Sequence, residues 1–166
     1  MKVAISVTAM ILALVALVAF IDWVLGIGGM FCYKFIPGCS HIAFLSHLSL
    51  NLILGKIFAI FAIIIGVPLH DASVVGSLMG TKLVLNEMVA YVGLTHVAQS
   101  IDPKSFMLAS FALCSFGNFG SIAIQIGGIG ELAPNQKKNL ARLGLRALIC
   151  GTLSCYLSAA IVGILM

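Results

Sequence analysis

The sequence predicts an all-α integral membrane protein in which transmembrane helices accompany one re-entrant helical hairpin and a broken helix. Three observations carry this. The chain of 166 residues is 61% hydrophobic and 8% charged, with a mean hydropathy of +1.19, whereas soluble domains carry about 25% charged residues. Both ends hold apolar runs long enough for the ~20 residues of a membrane crossing. Polar residues also cluster within apolar surroundings, at Lys82, Asn86 and Glu87 and again from Ser115 to Ser121.

The charge balance excludes a nucleic-acid binder. Net charge is +4, but four of the nine basic residues, Lys137, Lys138, Arg142 and Arg146, fall in one short stretch and the rest are scattered. A nucleic-acid face needs clustered cations over a wider surface. The five cysteines show no Cys/His metal spacing, so no metal centre is expected. Cys114, Cys150 and Cys155 lie in apolar runs, where a thiol behaves as a small hydrophobe. Cys32 and Cys39 flank a loop and could pair in an oxidising compartment.

Val3–Phe20 is an apolar run that continues past Asp22 and Trp23 to Met30. It exceeds the ~7–15 residues of a signal-peptide core and lacks a clear cleavage site, so it reads as a span with Trp23 near an interface. Pro37-Gly38 punctuates the loop that follows, and His41 and His47 read as loop or interfacial histidines without further ligands. Leu48–Val67 is long enough to cross but is interrupted by Asn51 and Lys56. Its pattern leaves a span and an interfacial helix equally open. Pro68 closes it, and Asp71 or Ser73 offers an N-cap for the next helix.

Ala72–Leu85 and Met88–Val97 are two short apolar pieces that meet at Asn86-Glu87. An ionisable residue at membrane depth costs ~2.5 kcal/mol or more and is a functional-site candidate by default. Two half-length segments joined by a polar dipeptide predict a re-entrant hairpin, whose irregular tip is tolerated only inside protein or beside a wet cavity. The alternative is one long helix with Glu87 paired to Lys82, although a spacing of five is poorer than three or four.

A further span begins at Ser105 and contains Cys114-Ser115-Phe116-Gly117-Asn118-Phe119-Gly120-Ser121. Glycine, asparagine and serine are weak helix formers, and in mid-membrane they predict an unwound helix that offers hydrogen bonds to a ligand, a recurring device of secondary transporters. Gly117 and Gly120 alone would equally suit close helix packing; Asn118 tips the reading. The run Ile126-Gly127-Gly128-Ile129-Gly130 lacks the Lys-Ser/Thr of a phosphate loop. A basic loop up to Arg146 marks the cytoplasmic side. Leu140–Met166 is the last span, which puts the C-terminus outside.

At this point a resemblance can be stated. Gly80-Thr81-Lys82-Leu83-Val84-Leu85-Asn86-Glu87-Met88-Val89-Ala90-Tyr91 is similar to the Gly-x-Lys-x-x-x-Asn-Glu-Phe-x-Ala-Tyr signature of concentrative nucleoside transporters. Ser115–Ile122 resembles their Phe-Ala-Asn-Phe-Ser-Ser-Ile signature. Ala123–Gly130 and Leu140–Ala147 follow in the right order. Met88 stands where the family usually has phenylalanine, and Gly117 and Gly120 replace alanine and serine.

The resemblance implies the C-terminal part of a nucleoside transporter fold. It divides the chain into a scaffold-type transmembrane helix (1–30), a loop and interfacial helix (31–70), the re-entrant hairpin (71–100), and the broken and final transmembrane helices of a transport domain (105–166). It implies cation-coupled nucleoside uptake, by sodium or proton, in a homotrimer of the bacterial inner membrane. Carried over, Glu87 accepts from ribose hydroxyls with Asn86 beside it, Asn118 and Ser121 contact the sugar, and Phe116 packs against the nucleoside. The family's first hairpin has no counterpart here, so the coupling-cation site is expected outside this chain and no other cofactor is expected. The same gap leaves a second reading: a non-transporting fragment, or a half-transporter needing a separately encoded N-terminal half. An intramembrane enzyme is disfavoured, since no nucleophile has a positioned base and orienting group.

Overall fold

The structure, a computed structural model, describes residues 1–35 and 49–166. The Cys32–Cys39 pairing and the loop histidines His41 and His47 lie outside the described side chains. The described residues form helices joined by short connections: α1 (Lys2–Phe35), α2 (Leu50–Ile64), α3 (Leu69–Val84), α4 (Glu87–Val97), α5 (Pro103–Leu113), α6 (Phe119–Leu132) and α7 (Lys137–Leu165), with a 3-10 turn at Pro134–Gln136 before α7.

Among the described residues, α1 and α7 are the two helices long and apolar enough to cross a membrane. Their 34 and 29 residues rise about 51 and 44 Å at 1.5 Å per residue, beyond the ~30 Å hydrocarbon core. Leu12, Leu17, Phe20 and Trp23 on α1 and Leu153, Leu157 and Ile161 on α7 are exposed, as lipid-facing side chains are. α2 has 15 residues and rises about 22 Å, short of that core. Ser49 caps it by accepting from Leu52 N at 3.1 Å, and Leu50 N donates to Asp22 Oδ1 of α1 at 2.6 Å.

α2 lies tightly along α3. A Cβ placed on Gly76 would come within 2.4 Å of Ala59 N and 2.7 Å of Gly55 O, so only glycine admits this approach. Gly66, with φ +101°, turns the chain between the two helices, a conformation open to glycine at little cost. α3 begins at Leu69, earlier than the Asp71 or Ser73 cap expected from the sequence. Pro68 holds the N-cap position with its φ near −53°, pre-set for a helix start, and this frees Asp71. Its carboxylate instead reaches the start of α5 and accepts from Asp102 N at 2.9 Å.

α3 and α4 form the hairpin. Leu85 leaves the helix at φ −99°, ψ −90°, and Asn86 is extended. Gly93 lets the arms close, since a Cβ there would meet Leu78 Cδ2 at 2.8 Å. At the open end, His70 Nε2 lies 3.1 Å from Asp102 Oδ2. The core gathers beneath the tip, where Val75, Met79, Leu94, Leu108, Leu113, Tyr156 and Ala159 are buried. α5 stops at Leu113 and α6 starts at Phe119, so the broken helix has the expected gap across Cys114–Asn118. Beyond it, α6 runs beside α1, with the Cβ position of Gly127 3.2 Å from Ser6 O and Val7 Cα.

Candidate functional site

The hairpin tip and the helix break are both built by asparagine caps. Asn86 Oδ1 accepts from Val89 N at 2.9 Å and starts α4. Asn118 Oδ1 accepts from Ser121 N at 2.8 Å and starts α6. Asparagine suits both places, because its side-chain carbonyl satisfies an orphan amide of the first turn. Each cap also orients its amide: the oxygen is taken up by the backbone, and the NH2 group faces away from the helix.

The two caps meet through Glu87. Asn118 Nδ2 donates to Glu87 Oε2 at 3.1 Å, joining residues 31 positions apart. Glu87 is half-buried and Asn118 is buried. The Ser121 hydroxyl sits between the Phe116 carbonyl and Asn118 Oδ1, which ties the unwound stretch to the first turn of α6. Phe116 has no such anchor for its ring, which is 79% exposed.

All five residues singled out in the sequence, Asn86, Glu87, Phe116, Asn118 and Ser121, line one cavity of about 570 Å³. Its remaining wall comes from α1, through Ile11, Leu14, Val15 and Asp22 among others. That wall was missed by the sequence reading, although Asp22, a lone carboxylate in an apolar run, was a signal for it. A second cavity of about 420 Å³ shares Phe116, Asn118 and Ser121 and is closed by Gln125 on α6 and by Gly144, Ala147 and Leu148 on α7. The break is thus open on two sides.

Lys82 does not pair with Glu87, and the continuous helix that such a pairing would need is absent. The chain breaks at Leu85–Asn86, and the buried Lys82 ammonium donates to Ser115 Oγ at 2.6 Å and Ala112 O at 3.2 Å. At the tip and the break the cavity is lined by the Glu87 carboxylate, which accepts, and by amide groups that donate, with the Phe116 ring beside them; Asp22 of α1 adds a second carboxylate, whose Oδ1 accepts from Leu50 N.

A half-length hairpin and an interrupted helix, meeting at a polar site between membrane-length helices, are the elements of a secondary-transporter fold. Residues 1–163 match the family described as Na+ dependent nucleoside transporter C-terminus, and the chain belongs to that family. It is 44% identical over 163 residues to the uncharacterized transporter YutK of Bacillus subtilis, covering 98% of this chain and 38% of that protein. It is 45% identical over 120 residues to the putative nucleoside permease NupX of Escherichia coli, covering 70% of this chain and 29% of that protein. Among solved structures, a variant of CNTnw in an outward-facing state superposes with a TM-score of 0.82 at 39% identity, covering 99% of this chain and 39% of that one. CNTnw in an inward-facing substrate-bound state superposes less closely, with a TM-score of 0.71. The chain therefore spans about two-fifths of the length of YutK and of CNTnw. These relatives are transporters, not enzymes.

Proposed function

We propose that this chain forms the sugar-binding side of a nucleoside transporter. The observation that carries the reading is the polarity of the site. Both asparagine oxygens are committed to helix caps, so Asn86 and Asn118 present donors, while Glu87 presents only acceptors. A ligand group that both donates and accepts satisfies the two at once, and vicinal ribose hydroxyls are such groups. Charge-assisted bonds from hydroxyl to carboxylate are about twice as strong as neutral ones. Phe116, exposed beside them, offers a face for the flat base, and Ser121 supports the Phe116 carbonyl from below.

Uptake is coupled to a cation. The family's description names Na+, which supports sodium; a proton is the other candidate, and the coupling site lies on a part of the transporter other than this chain. The protein works as a homotrimer in the bacterial inner membrane. The basic loop that opens α7 faces the cytoplasm and the C-terminus faces outward.

The test is uptake of labelled uridine by cells lacking their own nucleoside permeases, given this chain together with the part of the transporter that holds the coupling site, with wild type beside Glu87→Gln. Saturable, sodium-dependent uptake that the variant loses at equal membrane content supports the reading. Uptake indifferent to Glu87→Gln would refute it.

A further inference from the structure

α5 ends inside the protein, where the carbonyls of its last turn lack the donors of a continuing helix; Cys114 N and Ser115 N reach only Phe111 O and Leu113 O. Side chains from three other helices meet the carbonyls of this turn. Tyr91 OH of α4 donates to Ser110 O at 2.8 Å, and Cys155 Sγ of α7 lies 3.0 Å from Phe111 O and 3.3 Å from Ala112 O. Lys82 Nζ of α3 donates to Ala112 O at 3.2 Å. Of the three, only Lys82 carries a charge, and a cation at a helix C-terminus is favoured by the helix dipole. The Tyr156 ring lies 5.9 Å from the ammonium and offers its face as well.

Lys82 also donates to Ser115 Oγ at 2.6 Å, inside the break itself. The unwound stretch Cys114–Asn118 is therefore tied to the hairpin twice. Lys82 to Ser115 is one cross-link, and Glu87 to Asn118 is the other. On the hairpin the anchors are separated by the turn at Leu85–Asn86; on the broken helix they are separated by Phe116-Gly117. Neither connecting stretch is helical, so neither holds its own shape. The inner cross-link sets where the outer pair can sit.

We infer that Lys82 is a positioning residue for nucleoside binding: anchored on Ala112 O and Ser115 Oγ, it holds the helix break against the hairpin arm and so places Asn118 beside Glu87. This rests on the nucleoside reading of the site. Lys82 touches no ligand; it acts through the pair above it.

The test compares wild type, Lys82→Met, Ser115→Ala and the double variant in the uridine uptake assay, with each protein's membrane content measured. Lys82→Met keeps the length of the side chain and removes both hydrogen bonds. It is expected to raise KM about tenfold, as loss of charge-assisted bonds does, while the maximal rate per inserted molecule changes little. Ser115→Ala is expected to raise KM about threefold alone and not at all in the Lys82→Met background, because residues acting as one unit are non-additive. If Lys82→Met lowers only the amount of inserted protein and leaves KM at the wild-type value, the residue is merely structural and the inference is overturned. Independent, additive effects of the two substitutions would overturn it too. Wild type without saturable uridine uptake would overturn the nucleoside reading and this inference together, and is distinguished from the other outcomes by the wild-type measurement alone.

Discussion

Asn118 reaches Glu87 across 31 residues and meets it at 3.1 Å, with the same side chain capping α6 through its oxygen at 2.8 Å. One amide thus starts a helix and bonds the hairpin's only carboxylate at the tip. The cap needs only the oxygen, whereas the bond to Glu87 needs the amide's NH2 group.

Asn118→Asp separates them. The carboxylate retains the cap, since Asp and Asn are comparable at that position, but it sets a second negative charge beside Glu87, and like-charge juxtaposition costs several kcal/mol. Uridine uptake efficiency is expected to fall at least ~tenfold while thermal unfolding in detergent shifts little. A variant that transports normally would show that the Glu87–Asn118 contact is not part of the site.

Asn86 gives the complementary case. Asn86→Ala removes the acceptor for Val89 N and is expected to cost ~1 kcal/mol of stability, whereas Asn86→Ser keeps a capping oxygen and recovers most of it. Thermal midpoints of the three purified proteins check this. Equal midpoints for Ala and Ser would place the stability of the tip elsewhere.

Gly76→Ala is expected to be among the most damaging single-methyl changes in the chain. The added Cβ meets backbone atoms of α2 at 2.4–2.7 Å, which no rotamer change relieves, and overpacking of this kind costs ~1–3 kcal/mol or more. Gly151→Ala is the control, because nothing lies within 4 Å of its Cβ position. Folded yield after detergent extraction should drop for the first and hold for the second.

At the corner between α6 and α7, Lys137 Nζ donates to Glu131 Oε1 at 2.8 Å. This bond and the lysine's charge hold the Glu131 carboxyl below its ordinary 4.5. A depressed carboxyl contributes stability above its unfolded value and loses it as pH falls through the folded one. The difference in melting temperature between wild type and Glu131→Gln should therefore be present at neutral pH and close progressively below about pH 4.5. The pair is exposed, so the difference is small. A difference that persists unchanged into strong acid would show that the ion pair is not its source.

The hairpin and the helix break were legible because their signals are local. Asn86-Glu87 between apolar pieces, and Gly117, Asn118 and Gly120 within a span, announce irregular backbone from neighbouring residues alone. The second arm of the cavity was not legible in the same way. α1 is apolar on every side, so no periodicity marks which face meets the site. The sequence offers Asp71 or Ser73 as the cap of α3, yet Asp71 accepts from Asp102 N at the start of α5, and only the folded distance reveals that partner. The three side chains that finish α5 come from positions 82, 91 and 155, and no spacing rule connects them.

The seam between Gly55 and Ala59 on one side and Gly76 on the other packs α2 against the hairpin backbone to backbone. A displacement of α3 that keeps this seam closed carries α2 with it. Its outer face is aliphatic. That face is Ile57, Ile60, Ile63 and Ile64, all exposed, a greased surface bordered by one charged side chain, Lys56, at the seventh of the helix's fifteen positions.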